Sequence, residues 1–280
     1  MNEGMKREDI EAFAKTRQTV IDHRLEAMDL EGAALAGAIF KRCSFRGSNL
    51  TGANLEGAIL LECNFGEATL RDARLREALL TGSDFTSADL TGAVLIEAGL
   101  TGVTLDKTLF RDANLQSAFL NLIRGVMSDF SGANLRRAYM TGSNLVACRF
   151  DECQAEFSQA QRSDFSGSSL VRINFDRANL QGANFSLTDM EEASVRGCPL
   201  MKANFCGSSL KKARLTRSNL DGAQLMSVDA QGALINGANL RGAYLADGNF
   251  TGANFNQSLL HDAVTDNAVF DQASFEGTKR

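Results

Sequence analysis

Histidines, clustered carboxylates and paired cysteines are the side chains best suited to acid–base or metal chemistry, and they are sparse here. His23 and His261 stand near opposite ends of the 280-residue chain, so they form no base or metal-ligand cluster. The tightest acidic group, Asp189 with Glu191 and Glu192, is interpreted as a solvated turn in preference to a paired acid and base. The sequence has no Gly-Lys dipeptide of a phosphate-binding loop and no Cys-x-x-Cys pair. We therefore expect no enzyme, no cofactor and no metal site.

The elements that would position any site follow a repeat of five residues. From Leu30 to Phe275 every fifth residue is a slot for a large apolar side chain, and the 50 slots hold 26 Leu and 15 Phe. The residue two positions earlier is small, with 27 Ala and 10 Ser among the 50 repeats. A period of five fits neither a helix nor a half-buried strand. A frame without insertions over this length indicates a solenoid.

The repeat predicts a chain that turns once every five residues. Four such turns close a coil of 20 residues, and coils stack through backbone hydrogen bonds about 4.8 Å apart. Of the 25 glycines, 20 follow the large residue by two positions, where a type II corner requires a positive φ. Residues 20 apart should therefore lie above one another, so that Phe45, Phe65 and Phe85 stack inside.

This motif resembles the pentapeptide-repeat family, whose repeat is commonly given as A-(D/N)-L-x-x. The segments Ala53-Asn54-Leu55, Ala88-Asp89-Leu90, Ala133-Asn134-Leu135 and Ala238-Asn239-Leu240 match it residue for residue. The resemblance implies an all-β fold, a right-handed quadrilateral parallel β-helix (solenoid) of about 12 coils. We expect an N-terminal amphipathic helix or cap over residues 1–27, the β-helix over 28–275 and a short tail over 276–280.

Residues 6–27 place apolar side chains on one helical face, namely Ile10, Phe13, Ala14, Val20, Ile21 and Leu25. Two positions for this helix remain open. It could cap the first coil, or it could fold back along an apolar wall. At the other end, Phe270 and Phe275 in the terminal coil favour an end-to-end homodimer.

Composition narrows the cellular setting. The N-terminus lacks an apolar core of a secretory signal, and no apolar run approaches a membrane span. Five cysteines occupy small inward slots, which favours a reducing, cytoplasmic compartment with delivery by a non-classical secretion system left open; they are Cys43, Cys63, Cys148, Cys153 and Cys198. Cys206 points outward. The net charge of −5 is mild, so no direct binding of nucleic acid is expected.

The repeat breaks at two places. Gly125 occupies a large slot and Ile123 a small one, which we interpret as a local exchange in which Ile123 fills the space. Ala155 and Ala160 replace large residues near Phe157, and we expect Phe157 to rotate inward to fill that gap.

One wall carries apolar residues where the others carry Asn, Asp, Ser or Thr. Its outward positions in successive coils are Ile39, Ile59, Leu79, Gly99, Phe119 and Tyr139, and Leu61 and Leu122 belong to the same wall. Five strand spacings make this stripe about 25 Å long. Contiguous apolar surface of this size usually marks an interaction site, although β-branched and aromatic residues also suit an exposed strand.

A second wall, around Leu50, Leu70 and Leu90, has 13 acidic and 6 basic residues. Its candidate site residues are Asp72, Asp89, Asp112, Asp129, Asp151, Glu152, Asp189, Glu191, Glu192 and Asp229. We call these ten residues the acidic wall.

Three functions are compatible with these patterns. The leading hypothesis is a non-enzymatic scaffold that binds a protein partner through the lateral apolar wall. The family resemblance implies an alternative, because some members bind DNA gyrase in place of DNA and protect it from quinolones or peptide toxins; topoisomerase IV would be a related target. A second alternative is a bacterial effector or secretion-system accessory recruited through residues 1–27, since fold alone does not fix function.

Overall fold

The structure, a computed structural model, describes residues 5–280. The chain forms two compact units, the first ending at Tyr139 and the second beginning at Met140. The first unit contains the helix α1 (Arg7–Thr16) and the strands β1 (Thr19–Ile21), β2 (Ile39–Lys41) and β3 (Ile59–Leu61). These strands form a parallel sheet in the order β1-β2-β3.

Outside the sheet, single parallel bridges continue the same pairing in both units. Leu79 pairs with Gly99 in the first unit, and Asn184 pairs with Asn204 in the second. Each partner lies 20 residues further along the chain, which is the predicted register and equals four repeats. The backbone bonds are short, as in Leu60 N–H to the Leu79 carbonyl at 2.7 Å. Each unit is therefore a parallel β-helix.

The corners have the predicted backbone. All 20 glycines at the second position after the large slot have φ between 57° and 71°. At one of them, Gly52, the Ala53 N–H donates to the Leu50 carbonyl at 3.0 Å and closes the turn. Many other residue types adopt the same φ, for example Glu77 at 57°. The ladder imposes this conformation at a cost of about 1–2 kcal/mol for each residue that is not glycine.

From Ala33 to Leu260 both members of each inward pair are buried, so the interior there is a narrow column of side chains. In the first unit the Phe65 ring stacks on Phe45 at 4.9 Å and on Phe85 at 4.7 Å. In the second unit Phe185 stacks on Phe165 at 5.2 Å and on Phe205 at 5.1 Å. The centroid distances match the spacing of hydrogen-bonded strands, because each ring belongs to the coil directly above its neighbour.

The width of this interior gives a sharp test at Gly248. Its slot is usually alanine, but a Cβ there would lie 2.6 Å from Phe250 Cε2 and 3.0 Å from the Leu245 carbonyl oxygen. We expect Gly248→Ala to lower the free energy of unfolding by about 1–3 kcal/mol through overpacking, measured by urea denaturation followed by circular dichroism. Gly99→Ala is the matched control, because the one close contact of its Cβ would be the flexible Leu79 Cδ2 at 3.2 Å, and its other neighbours would lie at ordinary distances. Equal stability of Gly248→Ala and the native chain would contradict this packing.

Helix α1 lies against the first coil. In later coils of the same wall, a backbone N–H such as that of Asn54 donates to a carbonyl of the preceding coil, here Ala33 at 2.9 Å. Ala34 occupies the first coil of that wall, and its N–H donates to Glu11 Oε1 at 3.1 Å. Arg7 Nε holds the same Glu11 oxygen at 2.9 Å. A helix carboxylate thus substitutes for a missing strand, which is what a cap must do.

The limits of the N-terminal segment differ from those predicted. The helix ends at Thr16, whereas Val20 and Leu25 are buried inward residues of the β-helix. Thr19–Ile21 pairs with Ile39–Lys41, so the repeat begins before residue 28. The same correction applies to the predicted tail 276–280, because Lys279 pairs with Leu259. In both places the five-residue frame continues further than the sequence boundaries assumed.

The two breaks in the repeat have different outcomes. Ile123 is buried with 2% exposure, as the predicted exchange with Gly125 requires. The prediction for Phe157 is wrong. Its side chain is 46% exposed, its φ is 62°, and the Arg177 guanidinium lies 5.7 Å from its ring centroid. The Phe157 N–H bonds to the Asp176 carbonyl at 3.1 Å, so inward rotation would break the ladder.

Candidate functional site

The apolar stripe is one continuous column on the first unit. Ile39 pairs with Ile59 within the sheet, and bridges then join Ile59 to Leu79, Leu79 to Gly99, and onward to Phe119 and Tyr139. Backbone hydrogen bonds therefore set the spacing of these side chains along a straight line.

Much of this surface faces solvent. The exposed fractions are 47% for Leu79, 43% for Phe119 and 41% for Tyr139. Leu122 beside them is 67% exposed, while Ile39, Ile59 and Leu61 are half-buried. Helix α1, which contacts the first coil at Ala34, does not bury these three exposed residues. The alternative that the helix covers the stripe is therefore not the arrangement found.

Packing within the stripe is ordered. The Phe119 and Tyr139 rings stack at 5.1 Å with an interplanar angle of 7°. Leu79 leans over Gly99, since its Cδ2 would lie 3.2 Å from a Cβ at that position. Gly99 has no positive φ, so the backbone does not require glycine there, and glycine costs about 0.5–1 kcal/mol relative to alanine in a strand.

The outward position elsewhere contributes a hydrogen bond that the stripe lacks. Asn54 Oδ1 accepts from the Glu56 N–H at 3.1 Å, and Asn64 Oδ1 accepts from the Gly66 N–H at 2.8 Å. This side-chain turn stabilises the following corner. Isoleucine, leucine and phenylalanine have no oxygen for it. The stripe therefore forgoes a bond worth about 0.5–1.5 kcal/mol per coil, and exposed-strand propensity alone does not explain its composition.

In the first unit, the acidic wall is partly neutralised. Arg71 Nε bonds Asp89 Oδ2 at 2.5 Å, and Arg111 Nε bonds Asp129 Oδ2 at 2.6 Å. Asp72 and Asp112 instead lie over Gly92 and Gly132, the glycines of the next coil. Two of the four carboxylates are therefore ion-paired.

Asp129 shows how closely such a carboxylate is held. Its side chain is 9% exposed, and burial by itself raises the pKa of its carboxyl. Hydrogen bonds from the Ser131 hydroxyl and N–H and from Arg111 outweigh burial, so the Asp129 pKa is lowered overall. A carboxylate with all these partners stabilises the local fold and is poorly suited to act as a proton donor.

The acidic wall of the second unit is paired more completely. Arg172 binds Glu152, Arg149 binds Asp151 at 3.2 Å, and Lys211 binds Asp229 at 3.1 Å.

Lys212 lies between the remaining glutamates, 3.4 Å from Glu192 and 3.8 Å from Glu191. Asp189 Oδ1 accepts from the Glu191 N–H at 3.1 Å, which is the solvated turn expected from the sequence. No acid–base pair forms among these three carboxylates.

Sequence reasoning placed Met127 at an outward or corner position beside the first break but missed Leu187. The two side chains are 60% and 72% exposed, with φ of 60° and 58°. The signal for Leu187 was available, because it stands in a corner position that polar residues or glycine occupy in the neighbouring coils, as at Gly167 and Gly207.

The cysteines lie where the repeat predicted them. Five are buried, and Cys206 is only half-buried. Burial raises the pKa of the Cys63 and Cys198 thiols to about 12. These two thiols stay protonated at neutral pH and are poor nucleophiles and poor metal ligands.

Residues 5–280 contain no cluster of three or more His, Cys, Asp or Glu that could hold a metal ion. Over the same part of the chain, no helix is long and apolar enough to cross a membrane.

Comparison with known families gives one match along most of the chain. The family profile described as Pentapeptide repeats matches eight segments, 29–65, 58–96, 88–122, 128–167, 161–197, 198–237, 223–262 and 249–279. No curated protein sequence matches.

Several solved structures are similar. HetL, a pentapeptide repeat protein involved in heterocyst differentiation regulation in the cyanobacterium Nostoc sp., is 26% identical over 98% of this chain and 97% of its own, with a TM-score of 0.31. QnrB1, a plasmid-mediated fluoroquinolone resistance protein, is 18% identical over 65% and 93%, with a TM-score of 0.38. Rfr23 from the cyanobacterium Cyanothece 51142 is 25% identical over 48% and 64%, with a TM-score of 0.15.

Proposed function

This chain belongs to the pentapeptide repeat family, whose members fold as right-handed β-helices, and on that premise we propose that it is a non-enzymatic scaffold that binds a protein partner through its apolar stripe. A four-sided coil, which the 20-residue register supports, would give the stripe a flat wall of its own. A rigid backbone ladder fixes the side chains of such a wall before binding, which lowers the entropic cost of association.

The absence of corner-stabilising oxygens along the stripe is the observation that carries this proposal. Asn54 and Asn64 on other walls each accept a backbone N–H at the next corner. Residues 59, 79 and 119 present apolar surface instead, at a cost to the fold. Exposed apolar and aromatic groups in one row are the usual anchors of protein interfaces.

The test is a triple substitution, Ile59→Asp, Leu79→Asp and Phe119→Asp. We expect it to abolish capture of the partner by the immobilised chain, because three carboxylates would be buried in the interface. Capture is measured by affinity purification with mass spectrometry, and folding by circular dichroism.

The matched control places three carboxylates on a different wall, with Asn54→Asp, Val94→Asp and Asn114→Asp. This control should retain the partner. Retention by the stripe variant, with its melting curve intact, would show that the stripe is not the interface.

The acidic wall gives less support to mimicry of DNA. Seven of its ten carboxylates bind an arginine or lysine of the same wall, so they are not displayed as a run of free charges as phosphates are. Binding to gyrase or topoisomerase IV is therefore the weaker candidate, and a supercoiling assay at micromolar protein measures it directly.

Three further parts of the scaffold proposal concern its setting. Buried free thiols support a reducing, cytoplasmic location. Recruitment through residues 1–27 as an effector stays a prediction, to be tested by partner capture with and without that segment. End-to-end dimerisation through the last coil also stays a prediction, supported by partial exposure of Phe270 and Phe275.

A further inference from the structure

The side chains of the apolar stripe are ordered by size in a way that lets two copies of the stripe pack against each other in opposite directions. Along the column the residues are Ile39, Ile59, Leu79, Gly99, Phe119 and Tyr139. The moderate side chains lie at one end, the aromatic ones lie at the other, and the smallest residue stands at the centre beside leucine. A surface with this order is complementary to a copy of itself that runs in the opposite direction.

Consider a two-fold axis in the plane of the wall, parallel to the strands and midway between Leu79 and Gly99. It places Ile39 opposite Tyr139 of the second copy and Ile59 opposite Phe119 of the second copy. Leu79 comes opposite the second copy's Gly99. Each aromatic ring therefore meets a half-buried isoleucine instead of another ring, and each Leu79 lies opposite a glycine instead of another leucine.

Two leucines lie at the edge of this interface. Leu61 lies two residues beyond Ile59, and Leu122 lies three residues beyond Phe119, so both stand on the same side of the stripe. The axis that pairs residue 59 with 119 of the second copy brings Leu61 opposite the second copy's Asn121 and Leu122 opposite its Glu62, so the two leucines are neighbours offset by one residue. Leu122 is 67% exposed and has a φ of 57°, a conformation that the fold itself would satisfy better with glycine.

We propose that the apolar stripe joins two copies of this chain in an antiparallel, two-fold symmetric dimer. The proposal rests on the stripe being an interaction surface and identifies its partner as a second copy. The order of side-chain sizes along the column selects this pairing.

The available area makes this dimer weak. A wall about 25 Å long and roughly 12 Å wide buries on the order of 600 Å² in both copies together, whereas stable interfaces bury about 1,200 Å² or more. Glu77 and Glu97 at the flanking corner also come opposite each other across the axis, and their repulsion is screened by salt. We therefore expect micromolar association that strengthens when the salt concentration rises.

The experiment is sedimentation equilibrium of the full chain between about 5 and about 500 µM, roughly the range that a micromolar dimer requires. Ile59→Lys and Phe119→Glu are prepared separately, together in one chain, and as an equimolar mixture of the two single variants. Each single variant should weaken dimerisation at least about tenfold. The double variant and the mixture should recover it, because only the proposed register brings residue 59 opposite residue 119 of the second copy. Circular dichroism checks that every variant is folded.

Three results would overturn the dimer: a native chain that stays monomeric over this range, dimerisation that neither single variant weakens, or failure of both combinations to recover association. The scaffold proposal is separable from it. If the native chain is monomeric but the triple stripe variant loses a different protein partner, the stripe is an interface and the second copy is not its occupant. If the stripe variants lose neither dimerisation nor partner capture, both the dimer proposal and the scaffold proposal are wrong.

Discussion

Replacing Phe65 by alanine is expected to lower the free energy of unfolding by about 3–5 kcal/mol, the range for truncation of a fully buried phenylalanine. The Phe65 ring is packed between Phe45 and Phe85 with interplanar angles of 3° and 8°, so its loss removes two stacked contacts. The neighbouring coils are held apart by their own backbone bonds and cannot collapse into the space. Urea denaturation followed by circular dichroism measures the effect.

Phe65→Leu is the matched control. Leucine occupies 26 of the 50 large slots, so the slot accepts its shape, and the expected loss is below about 1.5 kcal/mol. A loss below about 1 kcal/mol for Phe65→Ala would mean that the coils do relax around the gap, contrary to a rigid ladder.

Stability is expected to fall steeply in alkali because of the buried thiols. Burial raises the pKa of Cys63 and Cys198 from 9.0 to about 12. Above pH 9 the unfolded chain releases these protons while the folded chain retains them, so the unfolded state is favoured as the pH rises. The stabilisation is complete below pH 9 and is lost towards pH 12, at about 1.4 kcal/mol per pH unit for each thiol.

The measurement is the urea midpoint at pH 8, 9, 10 and 11, these values being spaced at about one unit across the predicted window. Cys63→Ala with Cys198→Ala is the control, since alanine is the commonest residue of that slot. The double variant should show a clearly smaller decline above pH 9. Parallel declines in the two proteins would assign the alkaline instability to lysines, tyrosines or arginines instead.

The repeat frame made most of the fold predictable. Phe45, Phe65 and Phe85 could be stacked from sequence because residues 20 apart share a column, and the glycine corners followed from the same frame. The members of the apolar stripe also follow from this column assignment. Their exposure does not, because it depends on where α1 lies.

The predictions that were wrong gave more weight to the size of one side chain, or to a helical pattern of apolar residues, than to the five-residue repeat. Val20 and Leu25 fit a helical face, but they also fit the five-residue frame, and the backbone follows the frame. The Phe157 ring is large enough to fill the space beside Ala155, but a corner residue cannot turn inward while its N–H is held by the ladder. A long-range hydrogen-bonding pattern constrains each residue more strongly than the volume of one side chain does.

The ion pairs that form on the acidic wall could not be predicted from the sequence either. Arg71 and Arg111 reach Asp89 and Asp129, each 18 residues further on, whereas Arg172 binds Glu152, 20 residues earlier. Column position identifies which charges are near one another. The direction in which each flexible arginine leans decides which pairs form, and that depends on local rotamers.

The contact between Glu11 and Ala34 has a consequence for polymerisation. The Ala34 N–H is a donor that an incoming strand would use if another β-helix or an unfolded chain were to be templated onto the first coil. A carboxylate already occupies it, fixed by a salt link to Arg7, so fibre growth at this position would first have to detach the helix.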